Sequence, residues 1–146
     1  MKRLFVAFGL LLLAAPVLTA PAQAQDYIAI RQAGQDLMAG TFGGLRIAVT
    51  AKTDVKTLLP AANGLAAWMR VYPTLFPKGT ETGGNTKALP AVWSDRAGFD
   101  KAAANLVDAA QKLADLAKAG DTEAFAAQVK VVGEACGACH KDYRAK

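Results

Sequence analysis

Both cysteines of this 146-residue chain and its only histidine fall within five residues, Cys136-Gly137-Ala138-Cys139-His140. No other feature constrains the fold as strongly. On a helix, positions i, i+3 and i+4 share one face. The same face runs back through Val132, Val129 and Phe125 and forward to Tyr143. The reactive residues therefore sit on the seam that a packed helix buries, while Lys130 and Lys141 lie off it. A fold that accepts this helix must offer it an apolar partner surface.

The rest of the sequence supplies such partners. Regular two-residue alternation is nearly absent, and four segments carry helical spacing. They run over about Asp26–Val49, Thr53–Val71, Ser94–Lys118 and Asp121–Arg144. The third is the clearest, with Phe99, Ala102, Leu106, Ala109, Leu113 and Leu116 as one apolar stripe. Gly120 then stops that helix, and Asp121 or Thr122 caps the next. So short a connection predicts antiparallel packing of the last two helices. In the second segment Leu58, Leu59, Ala62, Leu65, Ala66 and Met69 form a face. Pro60 either breaks a helix begun at Thr53 or stands in the first turn of a shorter one. The Pro-, Gly- and Thr-rich stretch from Tyr72 to Trp93 reads as a long loop, a length often tied to function or to a crossing connection.

The chain is 53% hydrophobic, but part of that figure belongs to its first 24 residues. Lys2 and Arg3 are followed by an apolar run, Leu4 to Leu18, and by Ala22-Gln23-Ala24. A basic start, a short apolar middle and an Ala-x-Ala end describe a secretory signal peptide with cleavage after Ala24. The run is short for a membrane span, so no stable membrane insertion is expected after cleavage. Residues 25–146 are then one domain. The leader holds two of the 17 basic residues and none of the 12 acidic ones, so the domain keeps a charge of +3. Neither a Lys/Arg run nor interleaved aromatics suggests nucleic-acid binding.

Export changes how the cysteines read. Outside the cytosol two thiols ordinarily pair, yet a bridge across two helical residues closes a strained loop. Another use of the sulfurs is expected. C-x-x-C-H is the pattern of c-type haem attachment. Cys136 and Cys139 would form thioethers to one covalent haem c, and His140 would reach its iron. Small residues at 137 and 138 would let the backbone approach the porphyrin edge. A structural zinc site takes four protein ligands; two Cys and one His exhaust the supply here, so a carboxylate would have to complete it. A dithiol redox motif prefers a βαβ setting that this chain lacks. A coincidental match is the remaining alternative.

Three stretches carry a resemblance to a known family. They are YIAIRQAGQDLM (Tyr27–Met38), LFPKGTETGGNTKALPAVWSD (Leu75–Asp95) and CGACHKDYR (Cys136–Arg144). With haem attachment near the C-terminus, the chain resembles the class II cytochromes c, the cytochrome c′ group. The resemblance implies an all-α, up-down-up-down four-helix bundle. It implies haem attachment at Cys136 and Cys139, with His140 as an axial ligand. Arg31 and Gln32 match positions near the haem propionates, and Thr80 and Glu81 match loop positions at the haem edge. Arg144 matches a basic residue beside the histidine. The family also implies a homodimer through helices 1 and 2, where Gly40, Gly43 and Gly44 either allow close approach or loosen the helix end.

The residue opposite His140 separates two functions. Iron held by histidine and methionine is low-spin and suited to electron transfer, whereas a five-coordinate iron is open to gases. Arg31, Gln35, Met38 and Phe42 share one helical face, and Met38 lies roughly 10 Å beyond Arg31. In five-coordinate relatives the position matching Gln35 usually carries a bulky apolar residue; here it is Gln. The sequence is therefore expected to be a bacterial periplasmic electron carrier with Met38 and His140 on the iron, serving periplasmic redox proteins. Met69 is an outside candidate for that ligand. The alternative is a gas-binding cytochrome c′ that takes nitric oxide or carbon monoxide, with Met38 as core packing. No acid–base pair suggests an enzyme, since the sole histidine is committed to iron.

Overall fold

The computed structural model describes residues 20–146, with side chains from Asp26 onward. The expected signal peptide lies outside these residues, apart from the backbone of its last five. In chain order the helices are α1 (Ala20–Thr50), α2 (Leu59–Val71), α3 (Ala91–Ser94), α4 (Arg96–Ala119) and α5 (Thr122–Tyr143). Short 3-10 turns, Val55–Leu58 and Tyr72–Leu75, flank α2. The four long helices form the expected antiparallel up-down-up-down bundle, and α3 is one turn at the end of the loop. Among the described residues no helix is long and apolar enough to cross a membrane.

Helix ends follow from local chemistry. The Asp54 side chain accepts from Lys56 N at 3.0 Å and starts the turn before α2. Pro60 then occupies the first turn of α2, where its missing N–H costs nothing. This resolves the expected Thr53–Val71 helix into a turn and a shorter helix. Asp95 caps α4, accepting from Gly98 N at 3.2 Å. Gly120 takes a left-handed φ of 77°, which a Cβ would disfavour, and ends α4. Asp121 caps α5 through Ala124 N at 3.0 Å.

α4 is the central helix, packed against both α2 and α5. Its buried residues are Phe99, Ala103, Leu106, Ala110, Leu113, Ala114 and Ala117. Three expected stripe positions shift by one: Ala103 replaces Ala102, Ala110 replaces Ala109, and Ala117 replaces Leu116. The reason is two-sided burial, which places small residues where helices approach most closely and moves Leu116 to the flank. The main core joins this face to Leu65, Met69, Phe125, Val129 and Val132. Burying one such large side chain contributes about 1.5–3 kcal/mol. A second, largely aromatic cluster of Phe76, Val92, Phe99 and Tyr143 closes the loop end.

α1 packs mainly on α2 and only lightly on α5. Gly34 makes the first contact close, because a Cβ there would strike the Trp68 ring. The light α1–α5 contact leaves space between those helices, and the site occupies that space.

Candidate haem site

A cavity of about 670 Å³ opens among α1, α2, α4 and α5. That volume is in the range of small-molecule and cofactor sites. α5 supplies Cys136, Cys139, His140, Tyr143 and Arg144 to its wall, and α1 supplies Arg31, Gln32, Gln35, Met38 and Phe42. Residues about a hundred positions apart thus meet on one surface. Leu65, Met69, Phe76, Val92, Phe99, Leu106 and Val132 make the remaining wall apolar. Thr80 and Glu81 do not line the cavity, and their roles are indirect.

Arg31 shows the indirect role of Thr80. It is 2% exposed. Its guanidinium donates to Thr80 O at 2.7 Å, Thr80 Oγ1 at 2.9 Å, Thr86 Oγ1 at 3.0 Å and Leu75 O at 3.2 Å. It also stacks 4.5 Å from the Phe76 ring centre. Nearby, Gln32 Nε2 donates to Gly84 O at 2.8 Å. α1 therefore holds the long loop by two side chains. Burial pushes the Arg31 pKa down, while Tyr72 and Glu81 act the other way at longer range. Among the described residues Arg31 forms no ion pair, so a cationic group borders the cavity without a carboxylate beside it.

The α5 wall is held from its C-terminal side. The Tyr143 hydroxyl donates to Asp95 Oδ2 at 2.7 Å. Leu89 N donates to Tyr143 O at 3.0 Å, and Ala145 N donates to Lys87 O at 2.8 Å. Ala88 and Arg144 pair as an isolated antiparallel bridge. The C-terminal end of α5, one turn beyond His140, is thereby tied to the loop. Burial, then the nearby Arg144, lowers the His140 pKa from its ordinary 6.5, which favours the neutral imidazole that a metal requires.

Cys136 and Cys139 are half-buried and not bridged to each other. Burial raises the Cys136 pKa. Burial, then Cys136 and Asp142, pushes Cys139 up to about 11. A catalytic dithiol needs a lowered pKa, so this environment opposes the redox reading. Among the described residues no cluster of three His, Cys, Asp or Glu side chains could hold a bare metal ion. The donor set fits a haem instead: two thiols one turn apart, an imidazole next to the second, an apolar cavity and an unpaired cation at its border.

Five polar lining residues escaped the sequence reading: Asp36, Arg46, Tyr72, Thr86 and Lys87. Thr86 and Lys87 lie in the loop, where spacing carries no facing information. Arg46 lies four residues past Phe42 on the α1 face already identified, so its signal was available. Tyr72 follows α2 in the aromatic stretch before the loop.

Comparison with known proteins agrees with this geometry. The Cytochrome C′ family model matches residues 26–144. The chain is 33% identical to the cytochrome c′ of Rhodospirillum rubrum, over 99% of each chain. It superposes with a TM-score of 0.77 on cytochrome c prime from Alcaligenes xylosoxidans, solved as the nitric oxide complex of a point mutant. That match has 32% identity and covers 86% of this chain and 98% of the other. A TM-score of 0.78 and 31% identity relate it to a cytochrome c′ with ligand-controlled dimer dissociation, over 84% of this chain and 97% of that one. The covalent haem c is common to that family. By sequence, by bundle and by the haem-binding cavity, the chain belongs to the cytochrome c′ family.

Proposed function

We propose that this protein binds nitric oxide or carbon monoxide at a haem iron, on the α1 side of the cavity. Cys136 and Cys139 would hold the haem by thioethers, and His140 would be its protein axial ligand. The haem supplies an iron centre with affinity for diatomic gases. The chain supplies the covalent anchor, an imidazole whose pKa burial lowers, and an apolar enclosure. Arg31 stands ready as the cationic neighbour of an acidic group. Arg144 lines the same cavity as His140.

The observation that carries this reading is the setting of Met38. Its side chain lines the cavity and also packs against the main core cluster. On this reading it serves there as a wall, the role a thioether fills readily in an irregular apolar gap. The nitric oxide complex of the Alcaligenes relative supports the same reading. The electron carrier with Met38 on the iron is the second reading, favoured by the presence of Met38 and His140 on one cavity. Replacing Met38 by Ala distinguishes them. The gas-binding reading expects an unchanged ferric spin state; a change from low to high spin would establish Met38 as a ligand.

The reading is of a binding protein and not of an enzyme. Its periplasmic location rests on the leader-like first 24 residues and on the fact that c-type haem is attached outside the cytosol in bacteria.

We further propose a homodimer through α1 and α2. Ile30, Ala33, Leu37, Gly40, Gly44 and Ile47 are all exposed and follow one another at alternating spacings of three and four. Leu37 is 73% exposed and Ile47 is 71% exposed, and Val71 at the end of α2 is also exposed. This is the spacing of a coiled-coil seam. Nothing lies within 4 Å of a Cβ built at Gly40 or Gly44, so a second helix could approach there. Gly43 instead lines the cavity. α1 continues to Thr50, so the glycines do not end it.

A further inference from the structure

The polar side chains on the cavity wall are nearly all accounted for. Arg31 and Thr86 bind each other within the loop network. Gln32 is engaged with Gly84. Tyr143 is committed to Asp95. The remaining charged lining residues are exposed at the rim. With Cys136, Cys139 and His140 assigned to the haem, two polar groups are left: the Gln35 amide and the Tyr72 hydroxyl. Both are half-buried in a largely apolar surface.

Their placement is fixed. Tyr72 packs edge-on against Phe76, with ring centres 5.0 Å apart, and lies 6.0 Å from Trp68. Gln35 follows Arg31 by one helical turn on the same face, and Arg31 is pinned by four hydrogen bonds. Gln35 and Tyr72 line the same cavity, and Gln35 offsets part of the rise that burial gives the Tyr72 pKa. A primary amide has two N–H donors and a carbonyl. Tyr72 can engage one of these groups, which leaves at least one N–H donor for a ligand. A polar group in an apolar wall is costly unless it is satisfied. Binding sites of this kind place a few polar groups among apolar ones to set specificity.

We propose that Gln35, oriented by Tyr72, donates a hydrogen bond to a small ligand seated on the α1 side of the cavity. Gln35 is then a specificity residue. It favours ligands whose outer atom accepts a hydrogen bond over ligands of equal size that accept poorly. The inference rests on the gas-binding reading and adds the residue that sets its selectivity. Tyr72 acts through Gln35 as a positioning residue.

The test uses the haem-loaded protein with carbon monoxide as the probe. The infrared C–O stretch falls when a donor faces the ligand oxygen. Gln35→Leu should move the stretch upward, and Tyr72→Phe should move it the same way by less. Gln35→Leu should also speed nitric oxide dissociation by about fivefold, the worth of one net hydrogen bond. Gln35→Met provides a second apolar variant of similar length. An unchanged stretch in both Gln35 variants overturns the proposal and leaves the gas site intact. The same variants are made in a Met38→Ala background. If carbon monoxide binds only in that background, the gas-binding reading fails, and the shift measured there still decides the role of Gln35. If it binds in neither background, both proposals fall.

Discussion

The Tyr143 hydroxyl donates to Asp95 Oδ2 at 2.7 Å, while Asp95 Oδ1 accepts from Gly98 N at 3.2 Å. One carboxylate therefore fixes the start of α4 and the end of α5, one turn beyond His140. Gly98 lies so close that a Cβ there would strike both partners. Asp95→Ala loses a helix cap worth about 1 kcal/mol and the partner of a largely buried hydroxyl. Tyr143→Phe loses the one hydrogen bond and keeps the helix cap. Denaturant unfolding should rank Asp95→Ala as the more destabilising variant.

The same pair predicts a dependence on alkaline pH. The hydrogen bond to Asp95, then burial, raises the Tyr143 pKa from 10.0 to about 12. The folded state thus holds this proton more tightly than the unfolded chain. Its contribution to stability is complete below pH 10.0 and is lost as pH rises toward about 12. The stability gap between wild type and Tyr143→Phe should narrow across that window. Unfolding curves for the two proteins at several alkaline pH values measure it directly.

Arg31 is the second joint. Replacing it with Ala removes four hydrogen bonds from a charged, buried donor. The expected loss is about 3 kcal/mol. Lysine should not rescue it, because an ammonium cannot reproduce the planar fork. Protease cutting between Leu75 and Thr86 should rise in both variants, and limited proteolysis followed by mass measurement shows where.

The exposed stripe on α1 gives a test of assembly. In a self-complementary two-fold interface each substitution acts twice. Leu37→Glu brings two carboxylates into an apolar seam and should convert a dimer to a monomer in sedimentation velocity. Helix content should stay unchanged, since Leu37 is 73% exposed in the single chain.

Much of this architecture was legible in the sequence. The α5 stripe was readable because large apolar residues contrast with lysines on the other faces. The Gly120–Asp121 junction was readable because left-handed glycine and an aspartate cap have direct chemical signatures. The α4 seam was readable only to within one residue, since neighbouring alanines give no contrast between faces. The residues on α1 and α5 that share the cavity were identified from spacing and from family resemblance. The Arg31–Thr80 bond joins positions 49 apart, and the Asp95–Tyr143 bond joins positions 48 apart. Neither follows from local periodicity, because only the packed bundle brings those segments together. For the same reason Tyr72 stayed unmarked until the cavity placed it beside Gln35.

The most direct measurement is the optical spectrum of the haem-loaded protein, ferric and ferrous, with and without carbon monoxide. The account predicts a high-spin ferric form whose ferrous state binds carbon monoxide readily. A low-spin spectrum with a methionine–iron charge-transfer band, little changed by carbon monoxide, would contradict it and place Met38 on the iron.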